Sequence, residues 1–413
     1  MHRVLGTTVA GGPQTGLRRR LGLTLLVLYG VGITVGAGIY VLVGAVAGHA
    51  GTYAPWSFLL AGVVMAFTVA SYIELSTRFP VSAGEAAYVR AAFGSRLLST
   101  LVGLSTIVIG VMSASTVTLG AVGYTRQFLD LPQTVLILAV LLLLGTVAVW
   151  GILESVVIAG ILTLVEVGGL VAVIAAGVQA DLPIATTLAT LPPLEFHVLS
   201  GIAFASLLAF FAFIGFEDLA NIVEEARDPR QDLPRAMVLT LVISTILYVT
   251  VAAIAVSAVS VDRLSSSSAP LSLVFREVAG VGPQTISAIA IVATLNTILA
   301  QITMVSRVIY GMARQGDLPL AMATLHPRTA TPWLATALVV AVVAGLALAF
   351  PFAGLAESTS IATLAVFALV NLALLRLKFS RQQSRRTHVH VPVWIPIAGF
   401  VSCMLMMVAG LAG

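Results

Sequence analysis

Charged side chains are scarce in this sequence. Its 413 residues include 21 Lys and Arg and 17 Asp and Glu, so 9% are charged, against about 25% in an ordinary soluble domain. Hydrophobic residues make up 59% of the chain, and the mean hydropathy is +1.07. Because a soluble fold of this length needs a charged surface, the composition excludes a soluble enzyme, a nucleic-acid binder and a disordered tail as descriptions of the whole chain.

Cysteine and histidine are also sparse. The single cysteine, Cys403, lies in an apolar run, which excludes an intrachain disulfide and a cysteine-based metal site. The six histidines show no metal-ligand spacing, so we expect no metal and no cofactor. The net charge of +4 does not indicate a nucleic-acid partner, because Lys and Arg collect in the cytoplasmic loops of membrane proteins.

Long apolar runs dominate the rest of the chain. A membrane helix needs about 20 apolar residues, and the first run follows Arg18–Arg20 and is too long for the core of a signal peptide. The sequence therefore predicts an all-α integral membrane protein with about 11 transmembrane helices. The predicted segments are 21–47, 55–77, 97–124, 133–150, 152–178, 199–222, 236–259, 283–313, 332–351, 354–377 and 391–412.

The distribution of basic residues predicts the orientation. With the N-terminus in the cytoplasm, 18 of the 21 Lys and Arg residues fall on the inner side. The outer side receives Arg126, Arg263 and Arg276 alone. This asymmetry is typical of multi-pass proteins of the cytoplasmic (inner) membrane.

Glycines interrupt the first segment, between Gly30 and Tyr40. Small residues allow membrane helices to pack closely, which is one interpretation. The other is a helix that unwinds near Thr34–Ala37, because free amides at the start of a half-helix can bind a carboxylate.

The sixth segment contains Gly215, Glu217 and Asp218 within an aromatic-rich run. Carboxylates inside a membrane are costly and are candidates for function. Glu217 is therefore a candidate for proton or ion coupling, and a polar helix cap is the alternative. Interruptions in corresponding halves of a chain are the sequence sign of an inverted-repeat transporter.

Five stretches in order resemble motifs of the amino acid–polyamine–organocation permease superfamily. They are 32–40, 79–89, 211–236, 306–314 and 371–377. The resemblance implies a leucine-transporter-type fold, with a 5+5 inverted repeat and discontinuous helices 1 and 6. It implies a cytoplasmic segment 1–20, a ten-helix core 21–378 (repeats 21–178 and 199–378), a basic cytoplasmic loop 379–390 and an eleventh helix 391–413.

The resemblance also implies where an amino acid binds. The amides of Gly36, Ala37 and Gly38 would bind its carboxylate, carbonyls near Thr34, Phe211 and Ile214 would bind its ammonium, and Phe211 or its neighbour Phe210 would be the gate.

Glu166 departs from the cationic-transporter-like branch of the family, where a lysine that stands in for sodium usually occupies this position. A carboxylate would itself bind a proton or Na⁺, or it would be a neutral structural group. By contrast, Glu74, Glu154 and Glu357 lie near helix ends, where we expect solvated acids.

The sequence therefore predicts a secondary active transporter of amino acids in the lipid bilayer, proton-coupled through Glu166 or Glu217. Because no acid lies between Glu85 and Asp130, neutral substrates are favoured. Alternatives of the same fold are an exchanger or uniporter and a cationic amino acid transporter. A membrane enzyme would need an acid pair or metal cluster, and a nutrient sensor an extra soluble domain, so neither is favoured.

Overall fold

The computed structural model describes residues 21–79, 84–150, 156–223, 226–280, 282, 284–380 and 389–412. Within these ranges the regular structure is helical, without a named β-strand. The helices are α1 (Leu23–Val35), α2 (Gly38–Ala50), α3 (Ala54–Arg78), α4 (Gly84–Phe93), α5 (Arg96–Thr125), α6 (Gln133–Trp150), α7 (Val156–Gln179), α8 (Ile184–Ala189), α9 (Phe196–Phe211), α10 (Asp218–Asn221), α11 (Asp232–Ala258), α12 (Val261–Ser265), α13 (Pro270–Ala279), α14 (Gln284–Gln315), α15 (Trp333–Ala349), α16 (Phe352–Phe379) and α17 (Trp394–Ala412).

All eleven predicted apolar segments contain helices. In the described part of the chain, eight helical stretches are long and apolar enough to cross a membrane. Three shorter apolar helices complete the set: α1 is the first half of the first segment, and α9 and α15 lie in the sixth and ninth segments. Two of these, α1 and α9, are short because each ends at an interruption of its segment. The all-helical integral membrane class is confirmed.

Many hydroxyl side chains that are buried inside the helices donate to backbone carbonyls of their own helix. Thr118 and Ser306, for example, each donate a hydrogen bond of 2.7 Å to the carbonyl four residues earlier. Such bonds satisfy the hydroxyl group where water is absent. Small and hydroxylated residues can therefore lie between closely packed helices.

Glu74 differs from its prediction, because it is fully buried rather than solvated. Its carboxylate lies 2.5 Å from Arg78 Nη2 and 2.5 Å from Lys378 Nζ, and it accepts a hydrogen bond of 2.8 Å from the Val391 amide. Lys378 also donates to the Val391 carbonyl. These bonds join α3, the end of α16 and the segment before α17, which a local reading of the sequence could not anticipate.

The segment between α11 and α14 packs against α2 and α7. It includes the amphipathic helix α13. Tyr124 links this segment to α2, since its hydroxyl accepts from the Leu271 amide at 3.4 Å and donates to the Tyr40 carbonyl at 2.5 Å. The predicted N-terminal segment 1–20, Glu154 and most of the basic loop lie outside the described residues.

Candidate functional site

The first helix break lies where the glycine pattern indicates. Helix α1 ends at Val35 and α2 begins at Gly38. The Gly36 amide donates to the Gly32 carbonyl at 3.0 Å and so completes the last turn of α1. Ala37 and Gly38 stand at the start of α2, where backbone amides have no partner within the helix.

The second break is longer. Helix α9 ends at Phe211, a series of turns follows, and α10 begins at Asp218. Gly215 has a φ of +114°, which a residue with a side chain rarely adopts. Its amide donates a hydrogen bond of 2.8 Å to Glu217 Oε2. Glu217 therefore caps the turn that interrupts the sixth segment.

The two breaks lie against each other. A Cβ atom on Gly38 would lie 2.5 Å from Ala212 Cα, so only glycine fits there. A Cβ atom on Gly215 would collide with Ile33. The sequence pattern placed the two breaks in their helices, and the fold brings them into contact.

Tyr248 on α11 connects both breaks, and the sequence reasoning missed it. Its hydroxyl lies 2.7 Å from the Thr34 carbonyl and 2.7 Å from the Ala212 carbonyl. A hydroxyl has one hydrogen, so it can donate to only one of these carbonyls at a time. Nothing local in the sequence distinguishes this tyrosine from the seven others.

The two candidate gate residues are both buried. The Phe210 ring packs edge-on against Phe367, with 6.0 Å between ring centroids. The Phe211 carbonyl accepts from the Ile214 amide at 3.1 Å. The geometry thus gives Phe210 an aromatic partner on α16 and leaves the choice of gate residue as a prediction.

Glu166 on α7 is fully buried. Asn296 Nδ2 donates to its Oε1 at 3.2 Å, whereas Oε2 has no hydrogen-bond partner among the described residues. Tyr40 donates to its backbone carbonyl at 2.6 Å. The hydroxyl oxygen of Thr34, at the first break, is likewise buried without a described partner. A buried carboxylate with one amide donor is poorly compensated if charged.

A vestibule of about 700 Å³ leads from the molecular surface towards the first break. Ile33 and Asn296 lie in its lining, and so does Arg96, whose side chain is 65% exposed. Its wall also includes five further residues of charged type: Glu85, Arg90, Asp218, Arg307 and Asp317. Glu85 was not among the predicted site residues, although it lies in 79–89, one of the five stretches that resemble the family.

Metal chemistry finds no support in the described ranges. No group of three His, Cys, Asp or Glu residues there has the geometry to hold a metal ion.

Comparison with known proteins decides the family. A family model for amino acid permeases matches residues 21–412. The chain belongs to the amino acid permease family. Among similar proteins, the branched-chain amino acid permease BcaP of Bacillus subtilis is 29% identical over 95% of this chain and 88% of its own. An uncharacterized transporter of Mycobacterium tuberculosis is 33% identical over 95% of this chain and 86% of its own.

A third relative of this permease is the vacuolar cationic amino acid transporter 4 of Arabidopsis thaliana. It is 31% identical over 88% of this chain and 64% of its own length. The family and the apolar helices together make the chain a multi-pass membrane protein of the amino acid permease type. The resemblance identified from five motifs is confirmed.

Proposed function

We propose that this permease carries an amino acid across the cytoplasmic membrane by alternating access, with the substrate held between the two helix breaks. The observation that carries the proposal is the contact of Gly38 with Ala212 and of Gly215 with Ile33. Interrupted helices inside a membrane are tolerated where they line a cavity or are buried in protein. Here the vestibule reaches the first break.

The substrate zwitterion would bind mainly to backbone groups. Amides of Gly36, Ala37 and Gly38 face its carboxylate in this proposal, although Gly36 must first release the Gly32 carbonyl. Carbonyls of Thr34, Phe211 and Ile214 bind its ammonium, with Phe210 or Phe211 as the gate. Half-helix ends have the matching partial charges, positive at the amide end and negative at the carbonyl end.

The proposed architecture is a leucine-transporter-type fold of two inverted five-helix repeats, 21–178 and 199–378. Each repeat starts with a broken helix, which supports this division. The loop 379–390 and the eleventh helix, 391–413, follow the core. Transport is then a rocking of α1–α3 and α9–α11 against the remaining helices.

Coupling is proposed to a proton, with sodium as the alternative ion. Glu166 is the first candidate because Oε2 is buried without a described partner. Protonation gives this carboxyl group a hydrogen to donate and removes a buried charge. Glu217 is the second candidate, and an exchange or uniport mechanism would need neither.

The arginines of the vestibule support an orientation in the membrane. Arg90, Arg96 and Arg307 line the vestibule, and cytoplasmic ends of membrane proteins are rich in such residues. We therefore place the vestibule and the N-terminus on the cytoplasmic side.

For the substrate we propose neutral amino acids, in line with the name of the Bacillus subtilis relative. Cationic amino acids are the second candidate, because Glu85 and Asp218 lie in the vestibule wall and the Arabidopsis relative is named for such substrates.

The test is uptake of a panel of labelled amino acids into proteoliposomes, with and without an inward proton gradient. We expect accumulation of neutral amino acids only with the gradient, and exchange across the membrane without it. Accumulation of lysine and arginine alone would favour the cationic alternative. Exchange that ignores the gradient would make the protein an exchanger or uniporter, and absence of any uptake or exchange would contradict the proposal.

A further inference from the structure

A small cavity lies beside the second helix break. It measures about 30 Å³, enough for one water-sized species, and we name it the acid cavity after Glu85, Glu217 and Asp218 in its wall. Ile214 of the break lies in the same wall. Four lining residues are shared with the vestibule, so the two spaces adjoin: Glu85, Thr106, Asp218 and Met304.

Two of these carboxylates accept hydrogen bonds from separate parts of the chain. Tyr72 on α3 donates to Glu85 Oε1 at 2.8 Å, and the Gly215 amide donates to Glu217 Oε2 at 2.8 Å. The Tyr72 ring also packs on Phe216, next to Glu217, with 5.1 Å between ring centroids. Each of these bonds uses one oxygen of its carboxylate.

Gln301 on α14 provides an independent observation. It lines the acid cavity, it is 91% buried by its relative exposure of 9%, and its Oε1 has no hydrogen-bond partner among the described residues. A buried acceptor without a donor is costly. A protonated carboxyl group in the same cavity would supply the missing donor.

The other polar groups of the wall do not supply hydrogens. Thr106 and Thr363 donate within their own helices, to the carbonyls of Val102 and Thr359. In the described residues, no Lys, Arg or His lines the acid cavity. The groups around the pair that titrate or carry charge are Tyr72 and Tyr88 beside Glu85, Asp218 beside Glu217, and Arg90, Arg96, Arg307 and Asp317 in the adjoining vestibule.

We propose that Glu85 and Glu217 share one transported proton at the acid cavity, with Gln301 Oε1 accepting the hydrogen bond of the protonated form. The proposal rests on proton-coupled transport as proposed above and adds the group that exchanges protons with vestibule water. Glu166 lines neither space, so it needs such an intermediary. On loading, the proton bonds to a carboxylate oxygen; on release, that bond breaks and vestibule water takes the proton.

The test measures proton entry directly. Proteoliposomes loaded with the pH-sensitive dye pyranine receive a mixture of the twenty protein amino acids, and exchange of a labelled mixture is measured in parallel. Wild type should acidify the lumen. Glu85→Gln and Glu217→Gln should each lower the rate of acidification at least about tenfold, while amino acid exchange continues. The double variant should be no slower than either single variant, because residues that act as a unit are not additive.

Glu195→Gln is the matched control, since that carboxylate is exposed just before α9 and lines neither the acid cavity nor the vestibule. Acidification by Glu85→Gln at the rate of Glu195→Gln would overturn the proposal. If the wild-type protein exchanges amino acids without moving protons, proton-coupled transport itself is contradicted, and this proposal fails with it. The wild-type measurement alone distinguishes that case.

Gln301→Leu keeps every carboxylate and tests the hydrogen bond. Without its acceptor, the protonated pair should bind its proton about fivefold more weakly, which moves half-maximal acidification about 0.7 pH unit lower. An unchanged or higher midpoint would overturn the proposal. If Glu85→Gln does not fold, Glu85→Asp should restore proton entry because it keeps a titratable group.

Discussion

Glu74 and Glu166 are both completely buried, yet their surroundings differ. Glu74 contacts two cationic side chains and a backbone amide. Glu166 receives one side-chain amide and leaves Oε2 without a described partner. Burial alone therefore does not distinguish a structural carboxylate from a functional one. The compensation of charge is what differs, and on that difference we propose a structural role for Glu74 and proton coupling for Glu166.

The largest effect on stability should come from removing the cation beside Glu74. Lys378→Met leaves a buried carboxylate with one cation fewer, and breaking a buried pair in this way costs about 3 kcal/mol. Thermal unfolding of the purified protein in detergent measures the change. Lys378→Arg, which keeps the charge, should lose less, and Glu74→Gln combined with Lys378→Met should recover part of the loss. Equal melting of Lys378→Met and wild type would contradict this account of Glu74.

Two asparagines, a buried one and a partly buried one, sharpen the comparison. Asn371, on the Glu74 side, donates to Thr68 and the Phe367 carbonyl and accepts from Ser71. For Asn296, the structure describes one side-chain hydrogen bond, which it donates to Glu166. Asn371→Leu should therefore cost about 3 kcal/mol and Asn296→Leu about 1 kcal/mol, since each bond contributes on the order of 1 kcal/mol. Thermal unfolding in detergent measures both losses of stability. A larger loss for Asn296→Leu than for Asn371→Leu would contradict the structural role given to the Glu74 side.

The smallest effect should come from an exposed ion pair of the same length. Arg263 Nη2 lies 2.5 Å from Glu277 Oε1, and Lys378 Nζ lies at the same distance from Glu74 Oε2. The side chains of Arg263 and Glu277, however, are partly exposed to water. The hydrogen bond and charge of Arg263 lower the pKa of Glu277 below its ordinary 4.5. A carboxyl group whose pKa is lowered by folding stabilises the folded protein at pH values above its ordinary pKa. That stabilisation is lost as the pH falls through the lowered pKa of the folded state.

Because solvent screens this ion pair, Arg263→Gln should have the same melting temperature as wild type at neutral pH, within experimental error. A loss as large as that of Lys378→Met would show that burial is not what separates the two pairs. Any small difference at neutral pH should disappear in acid below the lowered pKa.

The sequence predicted much of the fold because apolar length and glycine content are local properties. The segment predicted at 133–150 forms α6 with the same bounds, and both helix breaks lie where glycine interrupts the apolar runs. Contacts between distant positions were not predictable. Lys378 is 304 positions from Glu74, and Tyr248 is 214 positions from Thr34. Glu74 was therefore wrongly expected to be solvated, and Tyr248 and Gln301 were missed.

We propose that the poorly compensated glutamate, Glu166, couples transport and that the compensated one, Glu74, supports the fold. The most direct measurement is the ratio of proton-driven accumulation to gradient-free exchange in proteoliposomes, for wild type, Glu166→Gln and Glu74→Gln. We predict that Glu166→Gln lowers the ratio at least about tenfold while exchange persists, and that Glu74→Gln lowers both activities together and keeps the ratio. A Glu166→Gln protein with the wild-type ratio would contradict the account.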